Sequence, residues 1–434
     1  MELNHVELKT GVWCYDREVQ ISFPSHWTVS TLPVQAMPTL EQSKIVEELE
    51  NPASGVKLHG LLSPNKKIAI VIDDHTRPTP VADILIPLIE MLKRSSVPIR
   101  NIKIIISIGT HKLEKKHLLA NKLKGISDLG IEIIVPDCRK SKELSFIGVS
   151  KAGIPVYINK NYAEADIRIA ISGIYPHDEA GFSGGAKILI GILGLRTLSL
   201  FHRKHGLVQR GATIETAFRD EIEHFADLAR IDYSINCVLN FDLKIARIFC
   251  GNFREAFFVA SSHARACLST EIIPEADVVI ANAYPLDNSF SVLGKSTWPF
   301  KYCKKNAFKI VVTSLCGQPG DRIPFHSNAR ERLVQGFKIR TGLSWTKRNL
   351  IEVKERLHSM LKVQYKWEKP YLVHIPFIDS QQKKKPQMIN GCHIEYDWDA
   401  IVTELLKMMG LTYNARVAIF KYTPMTFPLL NDET

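Results

Sequence analysis

The sequence lacks the cysteine spacing of a zinc ribbon or of a redox motif. Its eight cysteines are scattered through 434 residues and none forms a CxxC pair, the spacing that such sites use. Apolar runs long enough to cross a membrane are missing, and the polar first residues do not include the apolar segment of a secretory signal. We therefore expect a cytoplasmic protein with reduced, mostly buried thiols and no membrane partner.

The sequence also lacks a strong concentration of charge of one sign. It has 56 basic and 45 acidic side chains, which gives a net charge of +11. The densest basic groups, at residues 301–305 and 383–385, do not carry the repeated aromatic pattern that stacks on bases. We therefore expect a solvated basic surface and no nucleic-acid partner, although small anionic ligands also suit this charge. The pattern does not indicate an oligomeric state.

The first half of the chain alternates short β-branched runs with helical patterns. Strands are predicted at residues 67–73, 102–108, 131–136 and 166–172. The clearest helical pattern begins at Thr79-Pro80, where a threonine N-cap is followed by proline at the first helical position. Strands and helices in alternation predict an α/β fold with a mainly parallel, doubly wound sheet.

The same alternation restarts after Pro274. Strands are predicted at residues 276–281, 308–313 and 370–375, with helices at 330–338 and 350–363. Because the chain is too long for one ordinary core, we expect two α/β domains, residues 1–273 and 274–434, with the active-site cleft between them. The last segment, residues 416–422, could complete the second sheet or return to the first domain.

A histidine, a glycine-rich turn and a lysine follow one predicted buried strand closely. The run is His-Asp-Glu-Ala-Gly-Phe-Ser-Gly-Gly-Ala-Lys, residues 177–187. Gly184 and Gly185 would let backbone amides approach an anion, and Lys187 opens the next helix. The segment is not a Walker A loop, because Ile188 stands where that loop needs serine or threonine. The lysine could be a phosphate ligand, a surface residue or a covalent attachment point.

Polar residues also follow the first predicted strand. Asp73, Asp74, Thr76 and Arg77 crowd its carboxyl end, where open α/β sheets bind their ligands. Arginine offers a planar fork that binds carboxylate or phosphate through two parallel hydrogen bonds. The competing interpretation is a turn in which an aspartate caps the next helix and Arg77 pairs with Asp73.

Single histidines and a lysine complete the set of candidates. His111 follows the second predicted strand. His202 and His205 lie three residues apart and could bind a metal, although such a pair is more commonly part of a solvated basic helix. Lys295 follows the first strand of the second domain and could hold an anionic substrate in the cleft or lie exposed.

Taken together, these segments resemble the lactate racemase family, whose members use a nickel pincer nucleotide. The resemblance rests on residues 73–80 (DDHTRPTP), 109–111 (GTH), 176–187 (PHDEAGFSGGAK) and 282–287 (NAYPLD), with His202 and Lys295. The cofactor that it implies is a pyridinium nucleotide with two thioacid-derived arms. Its nickel is bound to one ring carbon, two sulfurs and a histidine.

The resemblance assigns a role to each candidate residue. It implies that Lys187 can be joined covalently to the cofactor and that His202 binds nickel, with His205 as the alternative because the interval from Lys187 is one residue short. The remaining matches are His111 and His177 as general bases, Arg77 and Lys295 as substrate ligands, and Asp74, Thr76, Gly184 and Gly185 as cofactor contacts.

The implied activity is that of an isomerase, a racemase or epimerase of 2-hydroxy acids. The α-hydrogen would leave as hydride while one histidine takes the hydroxyl proton, and return of the hydride to the opposite face would invert the carbinol carbon. The alternative is a non-catalytic protein that binds nickel or the pincer cofactor, which would need neither His111 nor His177. A hydroxy-acid dehydrogenase is disfavoured because no GxGxxG turn follows the early strands.

Overall fold

The computed structural model of the chain describes residues 3–52, 54–111, 113, 116–202, 211, 214–288, 293–316, 372–376, 388–389 and 392–430. The predicted helices at 330–338 and 350–363, the basic run at 383–385 and His205 lie outside these residues. The described chain is mixed α/β with mainly parallel sheets, which confirms the predicted fold class.

The strands are named here in chain order. They are β1 (Leu3–Thr10), β2 (Arg17–Pro24), β3 (Thr28–Thr31), β4 (Ile68–Asp73), β5 (Ile102–Ser107), β6 (Glu132–Ile134), β7 (Leu144–Val149), β8 (Pro155–Asn159), β9 (Ile167–Ile174), β10 (Pro176–His177), β11 (Gly181–Phe182), β12 (Tyr233–Leu239), β13 (Ile245–Gly251), β14 (Ser269–Thr270), β15 (Val278–Asn282), β16 (Phe308–Val312), β17 (Leu372–His374), β18 (Met388–Ile389), β19 (Cys392–Glu395), β20 (Arg416–Phe420) and β21 (Phe427–Pro428).

The helices of the described residues fall into two classes. The α-helices are α1 (Gln42–Glu50), α2 (Val81–Arg94), α3 (Lys116–Lys122), α4 (Lys160–Ala163), α5 (Leu195–Phe201), α6 (Ala217–Ala229), α7 (Phe253–Cys267) and α8 (Trp398–Met409). The 3₁₀ helices are Leu58–Leu61, Ile99–Asn101, Ser127–Leu129, Ser141–Glu143, Gly185–Ile192, Gly294–Ser296, Trp298–Lys301 and Thr423–Met425. Within the described ranges, no helix is both long and apolar enough to span a bilayer.

One six-stranded sheet holds most of the candidate residues. Its order is β13-β12-β9-β4-β5-β6, and its neighbouring strands are parallel except β12 and β13. Every residue of β4, β9 and β12 is buried, as expected for parallel strands that are covered on both faces. The four strands predicted in the first half correspond to β4, β5, β6 and β9, with ends that differ by at most two residues.

The chain path creates a topological switch point in this sheet. From β4 the chain moves outward to β5 and β6, and it then returns to place β9 on the other side of β4. A crevice forms at such a point because successive connections leave in opposite directions, and ligands of open α/β sheets bind there. The segments that follow β4 and β9 are those that the sequence singled out.

The second large sheet has seven strands. Its order is β18-β19-β17-β16-β15-β20-β3, and its pairs are parallel except β18 with β19. The early strand β3 lies at its edge beside β20, so the amino-terminal part of the chain contributes to this sheet. The domain division between residues 273 and 274 stays a prediction.

The segment whose path the sequence left open, residues 416–422, contributes its strand to the second sheet. Strand β20 completes the second sheet between β15 and β3. The chain then returns toward the first sheet, where β21 pairs with β14 and the ring of Phe427 lies 6.0 Å from that of Phe182. Strand β20 and the residues that follow it therefore connect the second sheet to the first.

Helix α2 begins at Val81, one residue later than predicted. Pro80 occupies the cap position, and no side chain caps the helix. The hydroxyl of Thr79 instead donates to the Asp73 carboxylate at 2.5 Å. The side chains of Ile84, Leu88, Met91 and Leu92 are buried, and Pro87 lies within the helix.

The glycine-rich segment after β9 is shaped by close packing. Gly184 has a φ of +85°, and a Cβ atom there would lie 2.1 Å from Cδ1 of Ile174. Gly185 has a φ of +56°, and its Cβ would lie 2.8 Å from the ring of Phe257. Both the backbone conformation and the lack of space therefore require glycine.

We predict that Gly184→Ala destabilises the cofactor-free chain more than Gly153→Ala does. Both glycines have positive φ, +85° and +73°, but a Cβ at Gly153 meets nothing within 4 Å. Both variants carry the backbone cost of a positive φ, about 1–3 kcal/mol, and crowding adds roughly 1–3 kcal/mol at Gly184 alone. Thermal and urea unfolding measure the difference, and equal losses would contradict this account.

Candidate active site at the switch point

Two carboxylates and a histidine meet at the carboxyl ends of neighbouring strands. Asp73 ends β4, Asp74 follows it, and His111 lies in the turn after β5. Nδ1 of His111 lies 2.6 Å from Oδ2 of Asp74. The register of parallel β4 and β5, which pairs Asp73 with Ser107, brings these segments to the same sheet edge. The sheet therefore builds an aspartate–histidine couple from residues 37 positions apart.

The Asp74 carboxylate is held on both oxygens. Its Oδ1 accepts hydrogen bonds from the backbone N–H of Thr76 at 3.0 Å and from the Thr76 hydroxyl at 2.6 Å. Burial by itself raises the pKa of Asp74, but His111, His75 and Arg77 outweigh it and hold that pKa well below its ordinary value. Asp74 is therefore a fixed anion that orients the His111 ring.

The neighbouring Asp73 is neutralised by a buried lysine that the sequence analysis did not identify. Lys122, the last residue of α3, forms an ion pair with Asp73 and has no exposed side-chain surface. Its amine also donates to the backbone oxygens of Asp74 and Arg77, each at 2.9 Å. Trp13 donates to the same Arg77 oxygen at 2.8 Å. Lys122 thereby fixes the loop that carries the site.

Arg77 has an unsatisfied donor. Within the described residues, its buried Nη1 has no hydrogen-bond partner. Burial lowers the pKa of Arg77, but Tyr175, Asp74 and Asp73 more than offset it, so the pKa lies above its ordinary value. Asp73 acts on Arg77 only through charge, because its own hydrogen bonds go to Lys122 and Thr79. A buried guanidinium with an unused N–H favours an anionic ligand.

Lys187 has the most strongly perturbed amine of the site. It lies in the first turn of the Gly185–Ile192 helix. Burial is the main cause of its shift, and the positive charges of Arg77 and Arg219 add to it, so its pKa falls from 10.5 to about 7. Near neutral pH a large fraction of this amine is therefore unprotonated and nucleophilic.

Glu179 links cations from the two sheets. Burial raises the pKa of this carboxyl, and the charges of Lys187 and Lys295 oppose that rise. Lys187 follows β9 in the first sheet, whereas Lys295 lies beyond β15 of the second sheet. The two lysines named from the sequence therefore converge on one acidic group, which the sequence analysis did not name.

His177 is fixed by its own turn. The side chain is buried, and Nδ1 accepts hydrogen bonds from the backbone N–H groups of Glu179 at 3.2 Å and Ala180 at 3.3 Å. The imidazole stacks on Phe218, with 6.2 Å between the ring centroids. Its orientation is therefore set by these backbone hydrogen bonds and by the Phe218 ring.

His202 also lies against Phe218. It is the C-cap residue of α5, its side chain is 47% exposed, and its ring centroid is 5.8 Å from that of Phe218. Its Nδ1 lies 4.0 Å from Oε1 of Glu179. No group of three or more histidine, cysteine, aspartate or glutamate residues suited to a metal was found in the part of the chain that the structure describes.

A loop from the second sheet reaches the first site loop. Asn288, beyond β15, donates from Nδ2 to the backbone oxygen of His75 at 2.8 Å. The adjacent Asp287 accepts from the Thr10 hydroxyl at 2.8 Å and from the backbone N–H of Gly11 at 2.7 Å. These contacts place the carboxyl end of β15 beside the end of β4.

The candidate residues are thus related in different ways. Asp74, Thr76 and His111 are hydrogen-bonded to one another. Arg77 and Lys187 influence each other through charge, whereas Lys295 and His202 approach the cluster through Glu179. Gly184 and Gly185 have a packing role, and their contact with a cofactor stays a prediction. Lys122 could have been noticed, because it occupies the apolar helix face of Leu118 and Leu119.

Known proteins resemble the chain over much of its length. Residues 15–214 match the model of the lactate racemase N-terminal domain. This part of the chain is similar to the lactate racemase family. The chain is 30% identical over 290 residues to the lactate racemase of Thermoanaerobacterium thermosaccharolyticum. This alignment covers 64% of this chain and 66% of that protein. The chain is also 30% identical over 256 residues to the lactate racemase of Lactiplantibacillus plantarum, which covers 57% and 60% respectively.

Solved structures share the fold of this chain. The lactate racemase apoprotein of Thermoanaerobacterium thermosaccharolyticum matches 98% of this chain and 100% of its own, with a TM-score of 0.70 and 20% identity. A Thermotoga maritima protein matches 75% of this chain and 81% of its own, with a TM-score of 0.54 and 19% identity. The sequence alignments span just under two thirds of the curated relatives, so they support this similarity and leave the activity to be proposed.

We predict that Lys122→Met destabilises the chain strongly. The change leaves the Asp73 carboxylate buried without its cation, at a cost of roughly 3–5 kcal/mol. Lys103→Met is the matched control, because the ion pair of Lys103 with Glu132 is partly exposed and its loss costs about 0–1 kcal/mol. Urea unfolding compares the variants. Adding Asp73→Asn should restore part of the loss, and a double variant no more stable than Lys122→Met would argue against the mechanism.

We also predict that Lys187 of the cofactor-free chain reacts with amine-acylating reagents near neutral pH. Its half-maximal reactivity should fall at about pH 7, which mass spectrometry of peptides labelled at different pH values can measure. Glu179 raises the pKa of Lys187, so Glu179→Gln should move the midpoint to lower pH. Asp178→Asn is the control, because it removes a neighbouring carboxylate and leaves Glu179 in place. An unchanged midpoint in Glu179→Gln would show that the two groups are not coupled.

Proposed function

We propose that the protein is an isomerase, a racemase or epimerase that inverts the carbinol carbon of a 2-hydroxy acid with the help of a nickel pincer nucleotide. Its substrate is a small anionic molecule. The observation that carries the proposal is the His111–Asp74 couple at 2.6 Å, beside the unsatisfied Nη1 of Arg77, in a chain similar to the lactate racemase family.

Arg77 is the substrate ligand that the geometry supports best. A carboxylate can accept two parallel hydrogen bonds from a guanidinium, and Nη1 of Arg77 lacks a partner among the described residues. Lys295, which acts on Glu179 from the second sheet, would add a second cation. The two side chains would hold the carboxylate of a 2-hydroxy acid and leave its hydroxyl group to the histidines.

His111 is suited to move the hydroxyl proton. When the imidazole takes a proton it becomes a cation, and the Asp74 carboxylate at 2.6 Å stabilises that charge. The hydrogen bonds from Thr76 hold the carboxylate in place while the charge changes. His177 would be the second acid/base group of the reaction, on the other side of the substrate carbon.

The residues present fit the proposed cofactor. The amine of Lys187, with its pKa of about 7, is reactive enough to be joined to a thioacid-derived arm, and the half-exposed imidazole of His202 is a suitable nickel ligand. When bound, the cofactor would accept the α-hydrogen as hydride and return it to either face of the keto acid. Asp74, Thr76, Gly184 and Gly185 line the segments on which it would rest.

The test uses protein made together with the enzymes that synthesise the cofactor. We expect added mass on the intact chain, bound nickel, and racemisation of at least one member of a panel of 2-hydroxy acids. His111→Ala should lower turnover by about 10²–10⁴-fold, as expected for loss of a general base. His59→Ala is the control, because His59 is an exposed residue of the helix Leu58–Leu61.

The alternative function gives a different result in the same experiment. A protein that only binds nickel or the pincer cofactor would gain mass and metal but racemise no member of the panel. Absence of both added mass and nickel, under conditions that load a known relative, would contradict the proposal.

A further inference from the structure

We propose that Cys14 and Cys316 are an oxidisable thiol pair, which a small-molecule disulfide converts into a disulfide bond that controls the candidate active site. Cys14 lies in the turn between β1 and β2, and Cys316 follows β16 of the second sheet. Both are thiols in the structure. Although they are far apart in the sequence, their side chains are hydrogen-bonded to each other, and a disulfide requires such proximity.

Asp287 brings the two cysteine segments together. Its buried Oδ2 accepts hydrogen bonds from the backbone N–H of Gly11 at 2.7 Å and of Ser314 at 3.3 Å. Gly11 opens the turn that contains Cys14, and its backbone oxygen accepts from the N–H of Cys14 at 2.9 Å. The N–H of Cys316 donates to the Ser314 hydroxyl at 3.4 Å. Both cysteine segments are thus bound to one carboxylate, so the proximity of the thiols is part of the fold.

The surroundings of the two thiols decide which one reacts first. Cys14 is half-buried, whereas Cys316 is only 2% exposed. The hydrogen bond with Cys14, burial and the charge of Asp287 all raise the pKa of Cys316. A thiol must lose its proton before it can attack a disulfide. Cys14 is therefore the accessible, attacking thiol, and Cys316 is the resolving thiol.

The oxidation is a pair of thiol–disulfide exchanges, with oxidised glutathione as the example of the oxidant. The Cys14 thiolate attacks one sulfur of the oxidant, which breaks its S–S bond, forms a mixed disulfide on Cys14 and releases one glutathione thiolate. The Cys316 thiolate then attacks Sγ of Cys14 and releases the second glutathione thiolate. The protein loses two electrons and two protons, and the two released thiolates take up those protons.

The residue before Cys14 connects the thiol pair to the candidate active site. The indole N–H of Trp13 donates to the backbone oxygen of Arg77 at 2.8 Å, and the backbone oxygen of Trp13 accepts from Asn121 at 2.8 Å. A disulfide holds its sulfurs about 2.05 Å apart, closer than two hydrogen-bonded thiols. Bond formation draws the turn and the Cys316 segment together, and Trp13 moves with the turn. The loop that carries Arg77 then loses part of its support.

Incubation of the full-length, cofactor-free chain with oxidised glutathione tests the pair. Peptide mapping by mass spectrometry without reduction should find a Cys14–Cys316 link, and a phosphine reductant should remove it. Cys303→Ser is the matched control, because Cys303 is also half-buried, and this variant should form the same link. Absence of that link, or a predominant link between other cysteines, would overturn the proposal.

Single serine variants test the order of attack. Cys316→Ser should accumulate glutathione on Cys14, because the resolving thiol is missing. In Cys14→Ser, the buried Cys316 should take up glutathione at least about tenfold more slowly than Cys14 does in Cys316→Ser. Equal rates, or a faster reaction of Cys316, would refute the assigned order.

The effect on the site rests on the proposed function. We expect oxidation of the cofactor-loaded chain to lower kcat/KM for a 2-hydroxy acid by at least about tenfold, because misplacement of a substrate ligand by about 1 Å can cost about 10²-fold. Reduction should restore kcat/KM. The double variant Cys14→Ser with Cys316→Ser should keep its activity under the same treatment.

The outcomes separate this proposal from the proposed function. Full activity of the linked wild-type chain would refute control of the site by the disulfide. A loaded wild-type chain that racemises nothing would contradict the proposed function, whereas the peptide map of the cofactor-free chain would still decide whether Cys14 and Cys316 form the pair.

Discussion

Two adjacent buried carboxylates at the end of β4 impose the arrangement of the site. A buried carboxylate is costly unless a cation or several donors compensate it. Lys122 compensates the charge of Asp73, and His111 together with the two donors of Thr76 compensates that of Asp74. Lys122 and His111 both lie on segments that follow β5. Their pairing with the two carboxylates therefore joins the ends of β4 and β5 through side chains as well as through the sheet.

The strands and the location of the site could be predicted from the sequence. Continuous β-branched runs identify buried parallel strands, and their alternation with helices places the carboxyl ends together. His111 and Arg77 could be selected for that reason alone. The partner of Asp73 could not, because an ion pair between residues 49 positions apart depends on how α3 packs and not on local pattern.

The glycine-rich segment shows why one motif can support two explanations. From the sequence, Gly184 and Gly185 are typical of a backbone that approaches an anion. In the fold, the same two positions have positive φ and lie against Ile174 and Phe257. Either requirement alone would select glycine. The motif therefore predicts the turn itself. The binding of an anion must be inferred from the charged residues that surround the turn.

Those charges favour a site in which Lys187 becomes neutral. Arg77 and Arg219 both lower the pKa of Lys187, so a third positive charge beside them is unfavourable. In the proposed function, a covalent bond to the cofactor would remove that charge permanently and would also end its attraction to Glu179. Arg77 and Lys295 would then remain as the cations that face an anionic substrate. The repulsion that makes Lys187 nucleophilic would be relieved by the same reaction that it promotes, and the cationic character needed for the substrate would be kept.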